Sequence, residues 1–386
     1  MMRVSGDRAQ VTPLIVPAGQ VPDKVTKWVR ERRIAALHRA GFTGKGVRVL
    51  VIDTGCDPNH FYLNDRIEAV KNFTGVGPDY EITDRHGHGT HVAGIIHAGA
   101  PDAEIYIAKG LGDDGRGYEA DLAAAIRWGI EQGVHVINAS WGSTEEPDEA
   151  TGLHQAIRDA TDAGILFVAS AGNEGHRLLE ENTVTWPARW YEPLAVASTM
   201  QMYAGERPLG ANSPASYSSA GPEIDTAAPG TYVYSCAPGG GWVYLSGTSM
   251  AAPMQAALAA CLAHQWLHMT GRMPTEPELV TLCLSHTRDI VWEGRDVLAG
   301  VGEIDACPLA VRRRLTVRAG SNVLTIETGG QGPVQRAEVT MPLPARIEPP
   351  GHFMVVFRGL LEGSDALVEW DQTQQQGTAT VDVLLQ

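Results

Sequence analysis

Gly247-Thr248-Ser249-Met250-Ala251-Ala252-Pro253 is the stretch on which the reading of this chain turns. Just upstream, Trp242, Val243, Tyr244 and Leu245 form a short apolar and aromatic run. Downstream, Ala256 to Trp266 is rich in Ala and Leu without a break, as a buried helix is. Ser249 is therefore expected at the N-terminal end of a helix, behind a Gly-Thr turn. Unsatisfied backbone N–H groups and the positive helix end lie beside it there. A developing oxyanion is stabilised in such surroundings. A serine at a helix start serves equally well as a plain N-cap, and the local sequence does not separate the two roles.

The 386 residues suffice for two domains, or for one large domain and a small appendage. Apolar residues make up 44% and charged residues 19%, so a sizeable core is expected. A net charge of −15 argues against nucleic acid and against anionic membrane surfaces as partners. No 18-residue apolar run occurs, so no transmembrane helix is expected. Met1 to Gln10 is polar, and Pro13 and Pro17 interrupt the apolar stretch that follows, which leaves no secretory h-region. The cysteines (Cys56, Cys236, Cys261, Cys283 and Cys307) are few, odd in number and without a C-x-x-C pair. They read as free thiols of a reducing compartment, and a cytoplasmic location is expected.

Along the chain, residues 1–43 form an N-terminal extension with a helical stretch from Asp23 to Arg39. Val47 to Ile52 is a β-branched run typical of a strand buried on both faces, and it ends in Asp53-Thr54-Gly55. An acid at the carboxyl end of a buried strand is costly unless it has a partner. In open α/β sheets those strand ends are also where sites form, although Asp-x-Gly is in addition an ordinary turn. In Asp84-Arg85-His86-Gly87-His88-Gly89-Thr90-His91 the glycines bare His88 at the start of an internal helix. His88 and His91 are three apart and no E-x-x-H accompanies them, so a zinc site is not expected.

Strands at Glu104–Ala108, Val134–Ala139, Ile165–Ala169 and Leu194–Ala197 alternate with helices at Glu119–Gln132 and Glu149–Ala163. The class is α/β with a mostly parallel central sheet. Gly110 to Gly117 lacks the G-x-G-x-x-G spacing, which argues against a phosphate cradle. From Leu315 onward short alternating runs are separated by Gly, Pro and Asn clusters, so residues 311–386 read as a small all-β domain, a sandwich or jelly roll.

An acid at a strand end, a histidine at a helix start and a serine at a helix N-terminus thus follow one another. The chemistry needs these three types. Serine attacks only when a base takes its proton, imidazole is that base near neutral pH, and a carboxylate sets its tautomer. Val51-Ile52-Asp53-Thr54-Gly55, His88-Gly89-Thr90-His91-Val92-Ala93-Gly94, Ala171-Gly172-Asn173-Glu174-Gly175 and Gly247 to Pro253 stand in the order Asp, His, Asn, Ser. Together they resemble the subtilisin-like serine peptidases over residues 45–310. The resemblance implies a three-layer subtilisin-like fold for residues 44–310. It implies Asp53, His88 and Ser249 as the triad, Asn173 as an oxyanion donor, and a peptide or protein substrate. It also implies that Gly115 to Gly117 and Ser140-Trp141-Gly142 flank an extended substrate, with Gly172 and Thr185 at the specificity pocket.

Asp53-Thr54-Gly55-Cys56-Asp57 and Lys71-Asn72-Phe73-Thr74 look like the intracellular branch, in which a short N-terminal extension blocks the cleft. Pro13-Leu14-Ile15-Val16-Pro17 reads either as that blocking segment or as an arm that packs on the surface. Two departures remove the family's usual calcium site. Ala98-Gly99-Ala100-Pro101 runs directly to the next strand, and His60-Phe61-Tyr62-Leu63 lacks an aspartate. No cofactor is needed for the chemistry, and a structural calcium would have to sit elsewhere. Thr185 stands where many members carry glycine, which narrows the pocket against large aromatic P1 residues. Asp113, Asp114, Glu145, Glu146, Asp148 and Glu149 read as solvated charge or as a preference for basic residues near the scissile bond. The reading is a serine endopeptidase, general or dedicated to one precursor; the reading from another class is a catalytically silent peptide-binding scaffold.

Overall fold

The computed structural model describes residues 2–4, 21–175, 181–200 and 212–306, and beyond these the strands named below. The chain divides into two compact units, Met1–Ala306 and Cys307–Gln386.

In the first unit, β1 (Met2–Val4) precedes two short helices, α1 (Lys27–Glu31) and α2 (Ile34–Arg39). The expected single helix over Asp23–Arg39 is broken at Arg33, which is left-handed (φ 57°) and turns its guanidinium onto Asp305. Strands and helices then alternate. They are β2 (Arg48–Asp53), β3 (Ile67–Asn72), α3 (His88–Gly99), β4 (Glu104–Lys109), β5 (Arg116–Gly117) and α4 (Glu119–Glu131). Next come β6 (Val136–Ala139), β7 (Trp141–Gly142), α5 (Leu153–Asp162), β8 (Leu166–Ser170) and β9 (Leu194–Met200). A hairpin of β10 (Tyr203–Ala204) and β11 (Arg207–Pro208) leads to β12 (Ser213–Pro214), β13 (Thr226–Pro229), β14 (Val233–Ala237) and β15 (Gly241–Leu245). The unit closes with α6 (Thr248–Thr270), α7 (Glu276–Ser285), β16 (Thr287–Arg288) and β17 (Glu303–Ile304).

The central sheet runs β16-β17-β13-β9-β8-β6-β2-β4-β3, with β12 beside β9. Every pairing from β3 to β17 along this path is parallel; β16 and β12 pair antiparallel at its margins. Because strand side chains alternate between faces, Leu50, Ile52, Ile137, Ala139, Phe167 and Ala169 share one core with Leu122 and Ile126 of α4 and with Leu153 and Ile157 of α5. The other face is covered by α6; α3 packs against α6, and β14 of the β14–β15 hairpin packs against α3. The result is three layers with helices on both faces, as the sequence led us to expect.

Helix α3 is buried over its whole length, which explains its Gly- and Ala-rich sequence. Arg32, just after α1, pairs with Glu303 of β17 at 2.7 Å, both side chains being buried. The second unit contains β18 (Arg314–Ala319), β19 (Asn322–Glu327), β20 (Val334–Val339), β21 (His352–Leu361), β22 (Ser364–Asp371) and β23 (Ala379–Leu384). They form three antiparallel pairs, β18–β19, β20–β23 and β21–β22.

Candidate active site

The carboxyl ends of β2, β6 and β8 lie side by side in the sheet; Asp53 is the last residue of β2, and the loops that leave β6 and β8 carry Ser140 and Asn173. Asp53 is fully buried. Its Oδ1 and Oδ2 lie 2.8 and 3.0 Å from His88 Nδ1, and Oδ1 also accepts the Thr54 N–H at 2.7 Å. A carboxylate on Nδ1 holds the proton there and leaves the Nε2 lone pair available. His88 Nε2 is buried and has no hydrogen-bond partner among the described residues. The close approach depends on Gly89, where a Cβ would strike the Gly55 carbonyl and come within 3.2 Å of Asp53 Oδ1.

The serine corner is built from α6. Its N-cap is Gly247, so Ser249 is the second residue of the helix, and the capping role left open by the sequence falls to another residue. Ser249 Oγ donates to the Ser140 carbonyl at 3.1 Å. Pro253 lies inside α6 and has no N–H to give the Ser249 carbonyl four residues earlier; Ser140 Oγ donates to that carbonyl instead, at 2.9 Å. Asn173 is held by its oxygen, which accepts from Thr248 N at 2.9 Å and Thr248 Oγ1 at 3.2 Å. Its Nδ2 is buried without a partner among the described residues, a donor beside the serine corner waiting for an acceptor.

The neighbouring His91 plays a different part. It is fully buried, its Nε2 faces the Val233 and Val243 carbonyls at 3.1 and 3.2 Å, and burial, with the nearby His88 second, lowers its pKa to about 3. It is a neutral packing histidine. Cys56, Cys236, Cys261 and Cys283 are buried free thiols, and burial raises the pKa of each. Among the described residues no three His, Cys, Asp or Glu side chains cluster in a way that could hold a metal ion.

The expected substrate edges are β5 and β7, and they are already paired. Strand β1 lies between them, antiparallel to both, with Met2 opposite Gly117, Arg3 opposite Arg116 and Gly142, and Val4 opposite Trp141. The Met2 side chain is fully buried in the same core cluster as Leu111, Leu122 and Trp141. Pro13 to Pro17 lie outside the described residues, so the segment seen in the cleft is an earlier one. Sequence patterning does not flag it, because backbone pairing is indifferent to side chains. Gly115 is not part of this ladder; it sits in the preceding turn at φ 75°. Thr185 is wedged between Gly142 and Gly172, where a Cβ on either glycine would come within 2.7 Å of it. Of the acidic loop residues, Asp113 is engaged by Lys109 and Arg85, at 2.9 and 3.1 Å, which hold its carboxyl below the usual range. Its charge is thus partly compensated within the chain itself.

Fold and site together define a serine hydrolase of the three-layer α/β class. The chain belongs to the subtilase family, whose pattern matches residues 44–291, and it is a subtilisin-like serine peptidase. It is 40% identical to Subtilisin BL of Lederbergia lenta over 234 residues, 58% of this chain and 79% of that protein. It is 35% identical to an Intracellular serine protease of Paenibacillus polymyxa over 256 residues, 63% of this chain and 74% of that protein. Among solved structures, Sphericase matches with a TM-score of 0.61 at 31% identity, covering 69% of this chain and 93% of that one.

Proposed function

We propose that the protein is an endopeptidase in which Ser249 attacks the scissile carbonyl while His88 Nε2 takes the hydroxyl proton. Asp53 keeps the imidazole in the Nδ1–H tautomer and stabilises the imidazolium that forms. Asn173 Nδ2 and the Ser249 N–H receive the oxyanion. The imidazolium returns that proton to the leaving amine as the C–N bond breaks, and the acyl-enzyme then yields to water, with the neutral His88 as base a second time. Nothing in this sequence of steps calls for a metal or an organic cofactor.

The observation that carries the proposal is the pair of unspent groups at one corner. His88 Nε2, a base without its proton donor, and Asn173 Nδ2, a donor without an acceptor, are both buried and unpartnered among the described residues. A scaffold that only bound peptides would gain nothing from keeping two such groups desolvated. Labelling of the purified chain by a fluorophosphonate tests the reading. Wild type should be labelled, while Ser249→Ala and His88→Ala should not; labelling that survives Ser249→Ala would refute it.

Residues 2–4 hold the strand position that a peptide needs, so a substrate has to displace them, and we assign the chain a self-occluded resting state. Thr185 between Gly142 and Gly172 supports a pocket suited to small P1 residues, which fits processing of selected substrates better than general digestion. The likeness to an intracellular relative, with Lys71-Asn72-Phe73-Thr74, supports work inside the cell. No helix among the described residues is long and apolar enough to cross a membrane.

A further inference from the structure

We propose that Asp84 is a positioning residue for the reaction, its carboxylate setting the distance and angle between Asp53 and His88. This inference rests on the reading of those two residues as the acid–base pair.

Asp84 lies in the loop before α3 and is 2% exposed. Among the described residues no cation pairs with it; instead five donors converge on its two oxygens. Oδ1 accepts from Thr54 Oγ1 at 2.9 Å, His86 N at 3.1 Å and Gly87 N at 2.7 Å. Oδ2 accepts from Thr90 N at 2.8 Å and Thr90 Oγ1 at 2.7 Å. A buried carboxylate is tolerated only when its lone pairs are satisfied, and here they are satisfied by groups that bracket the reacting pair. Thr54 directly follows Asp53, and Gly87 directly precedes His88. The hydroxyl of Thr54 has a second task, accepting the Gly89 N–H at 3.0 Å. The strand end that carries the acid and the helix start that carries the base are therefore joined twice through Thr54 Oγ1, once to Asp84 and once to Gly89.

A helix cap alone would account for the bonds to Gly87 and Thr90. It does not account for the bond to Thr54, which lies on a different element. The two roles are separable at that residue. Thr54→Val leaves the capping bonds in place and cuts the bridge, whereas Thr54→Ser keeps the hydroxyl.

The test uses the full chain as wild type, Asp84→Asn, Thr54→Val and Thr54→Ser. It measures kcat and KM on a fluorogenic peptide, thermal melting, and the low-field proton resonance of the His88 Nδ1–H. Misplacing a catalytic group by about 1 Å costs on the order of 10²-fold, so Asp84→Asn and Thr54→Val are expected to lower kcat by about 10- to 100-fold with little change in KM. The Nδ1–H resonance should shift or broaden in both, and Thr54→Ser should restore it together with most of kcat. Should Asp84→Asn fail to fold, Thr54→Val decides alone. A Thr54→Val enzyme with wild-type kcat and an unmoved resonance would overturn the proposal, as would a loss confined to melting temperature. If wild type itself carries no fluorophosphonate-reactive serine, or if His88→Ala keeps its kcat, the acid–base reading has failed, and the Asp84 proposal falls with it for that separate reason.

Discussion

Ser249 and Ser140 exchange hydrogen bonds, each hydroxyl donating to the other's carbonyl, at 3.1 and 2.9 Å. The exchange exists because Pro253 cannot supply the helical N–H that would otherwise occupy the Ser249 carbonyl. It ties Ser249, the proposed nucleophile, directly to Ser140, on the proposed edge of the substrate cleft. In the proposed mechanism the Ser249 hydroxyl has to turn from the Ser140 carbonyl to His88 before it reacts.

Removing one half of this exchange is the first prediction. Ser140→Ala leaves the buried Ser249 carbonyl without its donor, and Asn138 Nδ2 loses the acceptor it uses at 2.9 Å. A buried polar group left unpaired costs about 1–3 kcal/mol. Urea unfolding of Ser140→Ala should show a loss of that size, accompanied by a lower kcat. An unchanged midpoint would mean that water replaces the hydroxyl without penalty.

Deletion of residues 2–4 should activate the enzyme. Their strand fills the space between Arg116-Gly117 and Trp141-Gly142, and Met2 is buried behind it. Freeing the edges should raise kcat/KM on short peptides by about tenfold or more, since one displaced contact of about 1.4 kcal/mol corresponds to that factor. Met2→Asp, which would bury a charge, should act in the same direction. Equal activity of the deleted and full chains would show that the strand does not compete with substrate.

The Thr185 side chain takes space between Gly142 and Gly172. Thr185→Gly should therefore shift preference toward Phe at P1 relative to Ala. A methylene's worth of pocket space carries about 1–3 kcal/mol of discrimination, so the ratio of kcat/KM values should change by about tenfold or more. A wild-type enzyme that already favours Phe would contradict the premise.

Acid should destabilise the fold through buried histidines. Burial, with the Arg66 charge second, lowers the His97 pKa to about 4, and burial lowers that of His91 to about 3. Both groups are neutral in the fold and take up a proton on unfolding. Their contribution is complete above pH 6.5 and is lost as pH falls through the folded values. Each proton contributes a slope of about 1.4 kcal/mol per pH unit in that window. His97→Asn should remove one such slope between pH 6.5 and about 4 and leave the rest; urea midpoints measured across that range would reveal it, and parallel pH profiles would contradict it.

Much of this molecule was legible in its sequence, for two physical reasons. Hydrophobic periodicity follows directly from which faces are buried, so Val47–Ile52, Val134–Ala139 and the Ala-rich run after Pro253 announce their elements. Asp53, His88, Asn173 and Ser249 sit in short motifs because each needs a particular backbone around it, such as the glycine that lets α3 approach Asp53. What lay beyond reading along the chain is contact between distant segments. Asp84 is one acid in a polar loop until folding brings Thr54 onto its carboxylate. Met2-Arg3-Val4 carries no pattern that separates it from its polar surroundings, since its pairing with β5 and β7 uses peptide groups that every residue has. His91 and His88 look alike in sequence, and only the Val233 and Val243 carbonyls facing one and the Asp53 carboxylate facing the other make them different. The sequence by itself determined which elements form and which residue types are available for chemistry, because burial and backbone conformation are local demands. The tertiary structure alone decided which of those residues meet, because hydrogen bonds depend on distance in space and not on separation along the chain.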